Sequence, residues 1–589
     1  MVKPGVAFGD FIIKETTQKR GRDFGEHKEG IRNYFLPLFF AGLFLILFAR
    51  LFFLQVVEGS YYRNLSDNNR TRTVVIHAPR GIIFDRNGVP LVYNTPGFRE
   101  TVNGKTVFLS QSTALSMIAN GNTDLEVDSL REYPYKEAFA QVVGYIGQIS
   151  QSELSMPLYA GYGANDVVGK EGLEQYYESS LKGIDGKQLY EVDATGKLVR
   201  KLGQGDPISG KNITTTLDLK LQLAVNEAMK DVKRGAAIVS SPKGEILAMV
   251  SKPSFDPNLF TMGQSYRPAS NSSYFTVQSI LDDSQNQPLL NRSISGVYPP
   301  GSTFKLIVAS AGLMYKIIDG NWQIKDTGIL RVGNFSFANW FYTDYGGTDG
   351  EVNVVKGIQR SNDIFFYTLA GKVGVDKVSE MAKKFGLGAP LGIDLQGEAS
   401  GLVPTQEWKL KNIGEPWYLG DTYHYGIGQG YLLTTPLQVN GWTQAIANGG
   451  TLYRPHLLKN EQPQIISSNL LDTNATNLIR EGMVESCNPG GVAWPLFNFE
   501  VKNPNLKIDG KNILPVASAS SDMRHVVLAC KTGTAQVGGA TTLPEAWMTV
   551  FAPAYDPQII VTVLVENSGE GSNVAGPIAK QILQYYFGK

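Results

Sequence analysis

The sequence predicts an α+β protein: an antiparallel sheet flanked by helices, preceded by an irregular α+β region and a single N-terminal transmembrane helix. Three observations carry this. An apolar run stands near the N-terminus. Hairpin and strand signals stand at both ends of the later part of the chain. Helical and glycine-rich segments fill the space between them. At 589 residues the chain is too long for one ordinary domain, and the expected parts are 1–33, 34–57, 58–213 and 214–589.

The run Tyr34–Val57 reads YFLPLFFAGLFLILFARLFFLQVV and holds one charge, Arg50. About 20 apolar residues cross a bilayer as a helix. A core helix seldom stays apolar on every face over this length. Pro37 falls near the first turn, where a missing N–H is tolerated, and Arg50 is placed to snorkel to the outer headgroups. Lys3, Lys14, Lys19, Arg20, Arg22, Lys28 and Arg32 precede the run. The positive-inside rule therefore keeps the tail in the cytoplasm and sends the rest of the chain outside. Glu58-Gly59-Ser60-Tyr61 is a poor cleavage site, so the helix reads as an uncleaved anchor.

Beyond the anchor, Arg72–Ile76 reads as a strand. His77–Asn94 (HAPRGIIFDRNGVPLVYN) is a hairpin turning at Arg86-Asn87-Gly88-Val89. Residues 95–132 are weakly patterned. Residues 133–150 suggest a short helix ending at Gly144, and 166–182 a further helix. Residues 183–201 read as a hairpin turning at Asp185-Gly186 or Thr195-Gly196. This region carries no chemical motif of its own and reads as a spacer or docking part.

The pattern changes near Thr214, where TTLDLKLQLAVNEAMKDV has helical spacing. Gly235–Ser251 is a hairpin turning at Pro242-Lys243-Gly244. EAWMTVFAPAY and QIIVTVLVEN are strands, and a helix runs from about Val574 to Tyr586.

Lys+Arg and Asp+Glu both total 54, for a net charge of zero. No basic run interleaved with aromatics occurs, so nothing points to nucleic acid. The five histidines are scattered and the two cysteines are not a C-x-x-C, so no metal site is expected. No cofactor is expected either. Gly426-Ile427-Gly428-Gln429-Gly430 lacks the spacing of a nucleotide-binding loop. It reads as a tight loop lining a cleft, ahead of a helix starting near Thr435-Pro436. Outside the cytoplasm Cys487 and Cys530 could form a disulfide; the alternative is two buried thiols.

Three short motifs occur in order. The first is Ser302-Thr303-Phe304-Lys305, entered through Pro299-Pro300-Gly301 and continuing as a helix. Residues i and i+3 share a helix face, which sets Lys305 beside the Ser302 hydroxyl. A serine is a weak nucleophile and needs such a base. A lysine serves when burial and the helix dipole lower its pKa. The second motif is Ser361-Asn362-Asp363, offering a hydroxyl for proton relay and a polar side chain. The third is Lys531-Thr532-Gly533-Thr534 after a strand-like VVLAC. Here Lys531, Thr532 and Thr534 would receive a carboxylate, and Gly533 would let a substrate backbone approach the strand edge. The backbone N–H groups of Ser302 and Thr534 are the oxyanion-hole candidates. S-x-x-K alone decides nothing, since Ser179-Ser180-Leu181-Lys182 also matches. Ser66-Asp67-Asn68 and Ser520-Ser521-Asp522 imitate the second motif. The ordered set within one domain is the strong signal.

With these motifs, and with ARLFFLQVVEG, RGIIFDRNGVPLVYN, VVGYIGQIS, GKEGLEQYYE, SKPSFDPN, YGIGQGYLLTTPLQ and CKTGTAQ, the chain resembles class B penicillin-binding proteins. Asp363 in the second motif and K-T-G in the third look most like the elongation-type penicillin-binding protein 2 subgroup. The resemblance implies a serine transpeptidase fold with an all-α part, behind a pedestal domain. It implies a bacterial D,D-transpeptidase of the inner membrane, with its catalytic domain on the periplasmic side. Ser302 would attack the penultimate D-Ala of a stem peptide, an amine of a neighbouring peptide would resolve the acyl-enzyme, and β-lactams would acylate the same serine. Lys305 would be the acylation base, Ser361 and Asp363 the second motif, and Lys531–Thr534 the carboxylate and oxyanion site. A SEDS-type polytopic glycosyltransferase is the implied partner. The chain departs from the subgroup in a short stretch between Asn94 and Tyr133, where a larger head is expected, and in an expanded stretch from Cys487 to Cys530. The rival readings are a D,D-carboxypeptidase or β-lactamase on the same scaffold, and a non-catalytic β-lactam sensor or scaffold.

Overall fold

The computed structural model describes residues 32–588 except 103–104, 122–124, 194, 196, 264–265, 517–520 and 540. The basic tail lies outside the described residues up to 31. The chain divides into two compact units, Met1–Val74 with Gln188–Gln204, and Val75–Lys187 with Gly205–Lys589.

The first unit holds the apolar helix Arg32–Phe52, continued by a π-helical turn over Phe53–Val57. The span Phe35–Val57 is the one helix among the described residues long and apolar enough to cross a membrane, and none of it is buried in protein. A helix over Gly59–Arg70 leads into the strand Thr71–Ile76. That strand forms a three-stranded sheet with Gly186–Val192 and Leu198–Gly205. These last two are the hairpin expected over 183–201. Its turn is organised by Asp193, whose carboxylate accepts from the backbone N–H of Thr195 and Lys197.

In the second unit, the hairpin before Asn94 forms as read. Asp85 closes its turn by accepting from the N–H of Asn87 and Val89. The weakly patterned stretch proves structured: Pro90–Val102 pairs with both Lys105–Ser110 and Glu126–Glu132, and Ser110 caps a helix over Gln111–Ala119. The single helix expected over 166–182 is instead two short ones, Gly172–Tyr176 and Glu178–Leu181. The break turns both Glu174 and Glu178 inward. Glu174 accepts from Arg131 at 2.6 Å and Arg80 at 2.8 Å, and Glu178 from Arg80 at 2.7 Å, all with nearly no exposure.

The later part is built on a five-stranded antiparallel sheet in the order Ile246–Lys252, Gly235–Ser240, Ile559–Val565, Glu545–Ala552, Ala529–Ala535. Successive side chains go to opposite faces. Ile560 and Leu564 join one apolar cluster, and Val561 and Val563 the other. Helices Leu219–Ala228 and Ala575–Phe587 pack with the second cluster, Pro436–Ala447 and Lys305–Met314 with the first. The helix expected from Thr214 starts later, at Leu219. Asp218, not Thr214, caps it by accepting from Leu221 N–H, while Thr216 is drawn into bonds with Ile246 and His456 carbonyls. An all-helical layer follows, including Asp363–Val373, Val375–Lys384 and Thr473–Ser486. Cys487 and Cys530 are bonded, with Cα atoms 5.9 Å apart. The bond fastens the end of helix Thr473–Ser486 to the edge strand Ala529–Ala535.

Candidate active site

The first motif opens as a 3-10 turn over Gly301–Phe304 and becomes α-helical at Lys305. In a 3-10 turn residues i and i+3 eclipse, so Ser302 and Lys305 stack along one face. The glycine-rich loop holds the turn in place: Gly301 N–H donates to the Gly428 carbonyl at 2.9 Å. Gly428 has φ +75°, and a Cβ there would lie 2.1 Å from the Gly301 carbonyl oxygen. The loop thus buttresses the backbone of the turn that carries Ser302. The helix after it starts at Pro436 with a Thr435–Gln438 capping box, as the sequence predicts. Tyr425 is core, stacked on Phe304.

The second motif caps its own helix. Asn362 accepts from Phe365 N–H at 2.8 Å and starts helix Asp363–Val373. Ser361 is left-handed, at φ +52°, a conformation rare for a residue with a side chain. The third motif lies on Ala529–Ala535, which pairs with a neighbour on one side only. The missing side chain of Gly533 lets the protein itself pack closely against one face of this strand. A Cβ would stand 3.0 Å from Pro300 O, Thr303 Cγ2 and Trp547 Cβ. On that face the space is taken up by the turn that carries Ser302, while the other edge of the strand has no strand partner among the described residues.

The three motifs converge through two buried lysines. Lys305 Nζ donates to Asp363 Oδ1 at 2.7 Å, to the Ser361 carbonyl at 2.8 Å and to Ser361 Oγ at 3.3 Å. Lys531 Nζ donates to the same Ser361 Oγ at 2.8 Å and to the Thr532 carbonyl at 3.0 Å. Both lysines are fully buried. Burial lowers the Lys305 pKa, opposed by the Asp363 charge. Burial lowers Lys531 well below the usual range, and the Lys305 charge adds to this. Ser302 Oγ has no hydrogen-bond partner among the described residues and is half-exposed. Thr532 is nearly buried. Thr534 is exposed, and its hydroxyl accepts from Gly571 N–H at 3.2 Å.

Three other stretches match the first or second motif by sequence. Lys182 pairs with Asp166. Ser66-Asp67-Asn68 sits in a helix of the other unit, and Ser520 lies outside the described residues. Sequence reasoning missed Asp326, Asn339 and Trp340, which hold the second motif from a segment with no motif of its own. It read Gly428 only as a wall.

A serine and a lysine on one helical turn, joined through a second serine to a lysine on a sheet edge, define a serine acyl-transfer site. The chain belongs to the penicillin-binding protein transpeptidase family. The model of the penicillin binding protein transpeptidase domain matches residues 235–584, and that of the penicillin-binding protein dimerisation domain matches 119–215. The expected fold and the transpeptidase class of enzyme are thereby borne out. The chain is 32% identical to the peptidoglycan D,D-transpeptidase MrdA of Salmonella typhimurium (strain SL1344), covering 92% of this chain and 94% of that one. Among solved structures it is similar to Pseudomonas aeruginosa PBP2 in complex with WCK 5153, at 34% identity and TM-score 0.66, covering 87% and 96%. It is also similar to a chain from a peptidoglycan synthase complex that coordinates polymerisation and crosslinking, at 28% identity and TM-score 0.69, covering 95% and 98%.

Proposed function

We propose that this chain is the D,D-transpeptidase of a cell-wall elongation machine, cross-linking peptidoglycan stem peptides through an acyl-enzyme on Ser302. The observation that carries the reading is the meeting of Lys305 and Lys531 on Ser361 Oγ. A hydroxyl has two lone pairs and one proton. With both lone pairs taken by the lysines, its own O–H is the one group left to point at a partner, and it can pass a proton onward.

Lys305, its charged form disfavoured by burial, takes the Ser302 proton as Ser302 Oγ attacks the penultimate D-Ala carbonyl. The N–H groups of Ser302 and Thr534 receive the developing oxyanion. Ser361 returns the proton to the departing D-Ala amine, with Lys531 setting its potential. Asp363 holds Lys305. Thr532 and Thr534 meet the terminal carboxylate, whose negative charge favours the protonated form of Lys531 beside it. The amine of a second stem peptide then attacks the ester carbonyl; it loses a proton to Lys305, and Ser302 Oγ regains one from Lys305 as its bond to the acyl group breaks, while β-lactams stop the cycle at the acyl stage.

The apolar helix anchors the chain in the bacterial inner membrane, and the basic tail places the catalytic part on the periplasmic side. A polytopic SEDS-type glycosyltransferase is the partner that supplies glycan strands, met through the anchor and the membrane-proximal region. Similarity to a member of a synthase complex supports this pairing. The test is mass spectrometry after penicillin treatment. The adduct is expected on the peptide holding Ser302 and absent in Ser302→Ala. An adduct elsewhere overturns the assignment. A rapidly hydrolysed adduct moves the activity to a β-lactamase, and release of D-Ala without cross-links moves it to a carboxypeptidase.

A further inference from the structure

The second motif is held by a buried polar cradle drawn from a segment in which the sequence shows no chemistry. Asp326 Oδ2 accepts three donors: Asn362 Nδ2 at 2.8 Å, Asp349 N–H at 2.9 Å and Asn339 Nδ2 at 3.0 Å. Its Oδ1 accepts from Gly328 N–H at 2.7 Å. Asp349 Oδ2 takes a second bond from Asn362 Nδ2 at 2.9 Å, and its Oδ1 accepts from Arg360 Nε at 2.9 Å. Asp326, Asn339 and Asn362 are at most 2% exposed.

The cradle reaches the chemistry along two bonds. Asn339 Oδ1 accepts from Asp363 N–H at 3.1 Å, and the next residue, Trp340, donates its N–H to Asp363 Oδ2 at 3.0 Å. The other carboxylate oxygen of Asp363 holds Lys305. Asn362, the variable middle residue of the motif, is clamped between Asp326 and Asp349. It stands between Ser361, in its rare left-handed state, and Asp363. Every polar atom of the Asn339 and Asn362 amides is used toward this end.

We infer that Asn339 and Asp326 are positioning residues for acylation, acting through Asp363 to aim Lys305 at Ser302. The inference rests on the proposed roles of Ser302 and Lys305. Failure of those roles is read separately, as acylation that survives Ser302→Ala. A buried network with all its members satisfied fixes geometry, and a misplacement of about 1 Å can cost on the order of 100-fold in rate.

The test is a double-mutant cycle on the full chain in detergent micelles, reading the second-order rate of acylation by a fluorescent penicillin across pH. Asn339→Ala is expected to slow acylation about 10-fold or more. Its effect should shrink to less than about twofold when Asp363 is already alanine, because residues acting along one chain are not additive. The acid limb of the pH profile should also move to lower pH in Asn339→Ala, since a loosened Asp363 supports the Lys305 ammonium less. Lys531 and Ser361, the other polar groups facing Lys305, are unaltered in every variant. Asp326→Asn, nearly the same size, is expected to behave as Asn339→Ala and serves if that variant melts without cooperativity. Equal losses with and without Asp363 overturn the inference, as does a rate loss matched by fewer titratable sites with an unmoved pH limb. An unaffected Asp326→Asn also overturns it.

Discussion

Lys531 Nζ lies 2.8 Å from Ser361 Oγ, and Lys305 Nζ lies 3.3 Å from the same oxygen. Two lysine amines thus share one buried hydroxyl, where burial disfavours the charged form of each. Acylation by penicillin should rise with pH along a limb set by Lys305, with its midpoint below the usual 10.5. Stopped-flow acylation rates across pH check this. A rate that does not fall at any acid pH at which the protein stays folded would leave Lys305 without a role as base.

The same lysine pair burdens the fold. A base whose pKa is lowered on folding binds fewer protons in the native state than in the unfolded chain. Stability is then fully present above the unfolded value of 10.5 and is lost as pH falls toward the folded one. Lys531→Met should therefore melt higher than the parent at pH 7, by about 1–2 kcal/mol, and the gap should close above pH 10.5. Acylation should be largely lost in the same protein. Melting curves at two pH values decide it.

Gly428→Ala puts a methyl group 2.1 Å from the Gly301 carbonyl oxygen at a backbone φ of +75°. The backbone of the nucleophile's turn has to give way. We expect about a 10-fold or greater fall in acylation rate, together with a lower melting temperature. Penicillin titration with kinetics shows whether the surviving sites are fewer or slower, and slower is expected.

Glu174→Gln tests the pedestal. The buried carboxylate serves both Arg80 and Arg131, and burial raises its pKa less than the two guanidinium groups lower it. Removing one partner of a buried ion network costs about 3 kcal/mol or more. The depressed pKa makes this stability present above pH 4.5 and lost as pH falls through the folded value. The variant and parent should therefore converge in acid, which urea denaturation at pH 7 and in acid would register.

Replacing Cys487 and Cys530 together by serine opens a cross-link between positions 43 apart in sequence. Chain entropy alone puts the loss at about 4 kcal/mol. Denaturant midpoints with and without reductant measure it: the parent should fall to the variant's midpoint on reduction, and the variant should not respond.

What the sequence made readable was whatever repeats locally. The strands within 235–251 and 545–565 announce themselves by apolar runs, the anchor by length, and the Pro436 helix by a proline at its first turn. Contacts between distant positions were not readable in this way. The two strand partners of Pro90–Val102 come from a stretch whose polar faces hide its period. The helix at 166–182 breaks because two of its glutamates are pulled to arginines far away in sequence. In the site, Ser302, Lys305, Ser361, Asp363 and Lys531 could be read because each sits in a short motif. Gly533 was read for its freedom, while the turn packed against it was not legible. Asn339 and Asp326 had no local sign at all, since an asparagine and an aspartate in a loop look like ordinary turn formers.

On the proposed placement outside the cytoplasm, the covalent tie between Cys487 and Cys530 makes the enzyme's geography part of its chemistry. Thiols kept in a reducing compartment stay apart, and those delivered to an oxidising one close. A chain held back before export would carry its Lys531 strand held by its ladder hydrogen bonds and apolar packing, without the covalent tie. A delivered chain has that strand sewn to the helix behind it. Completion of the catalytic frame and arrival at the wall would then be one event, and the bond at position 530 a chemical record that the journey was made.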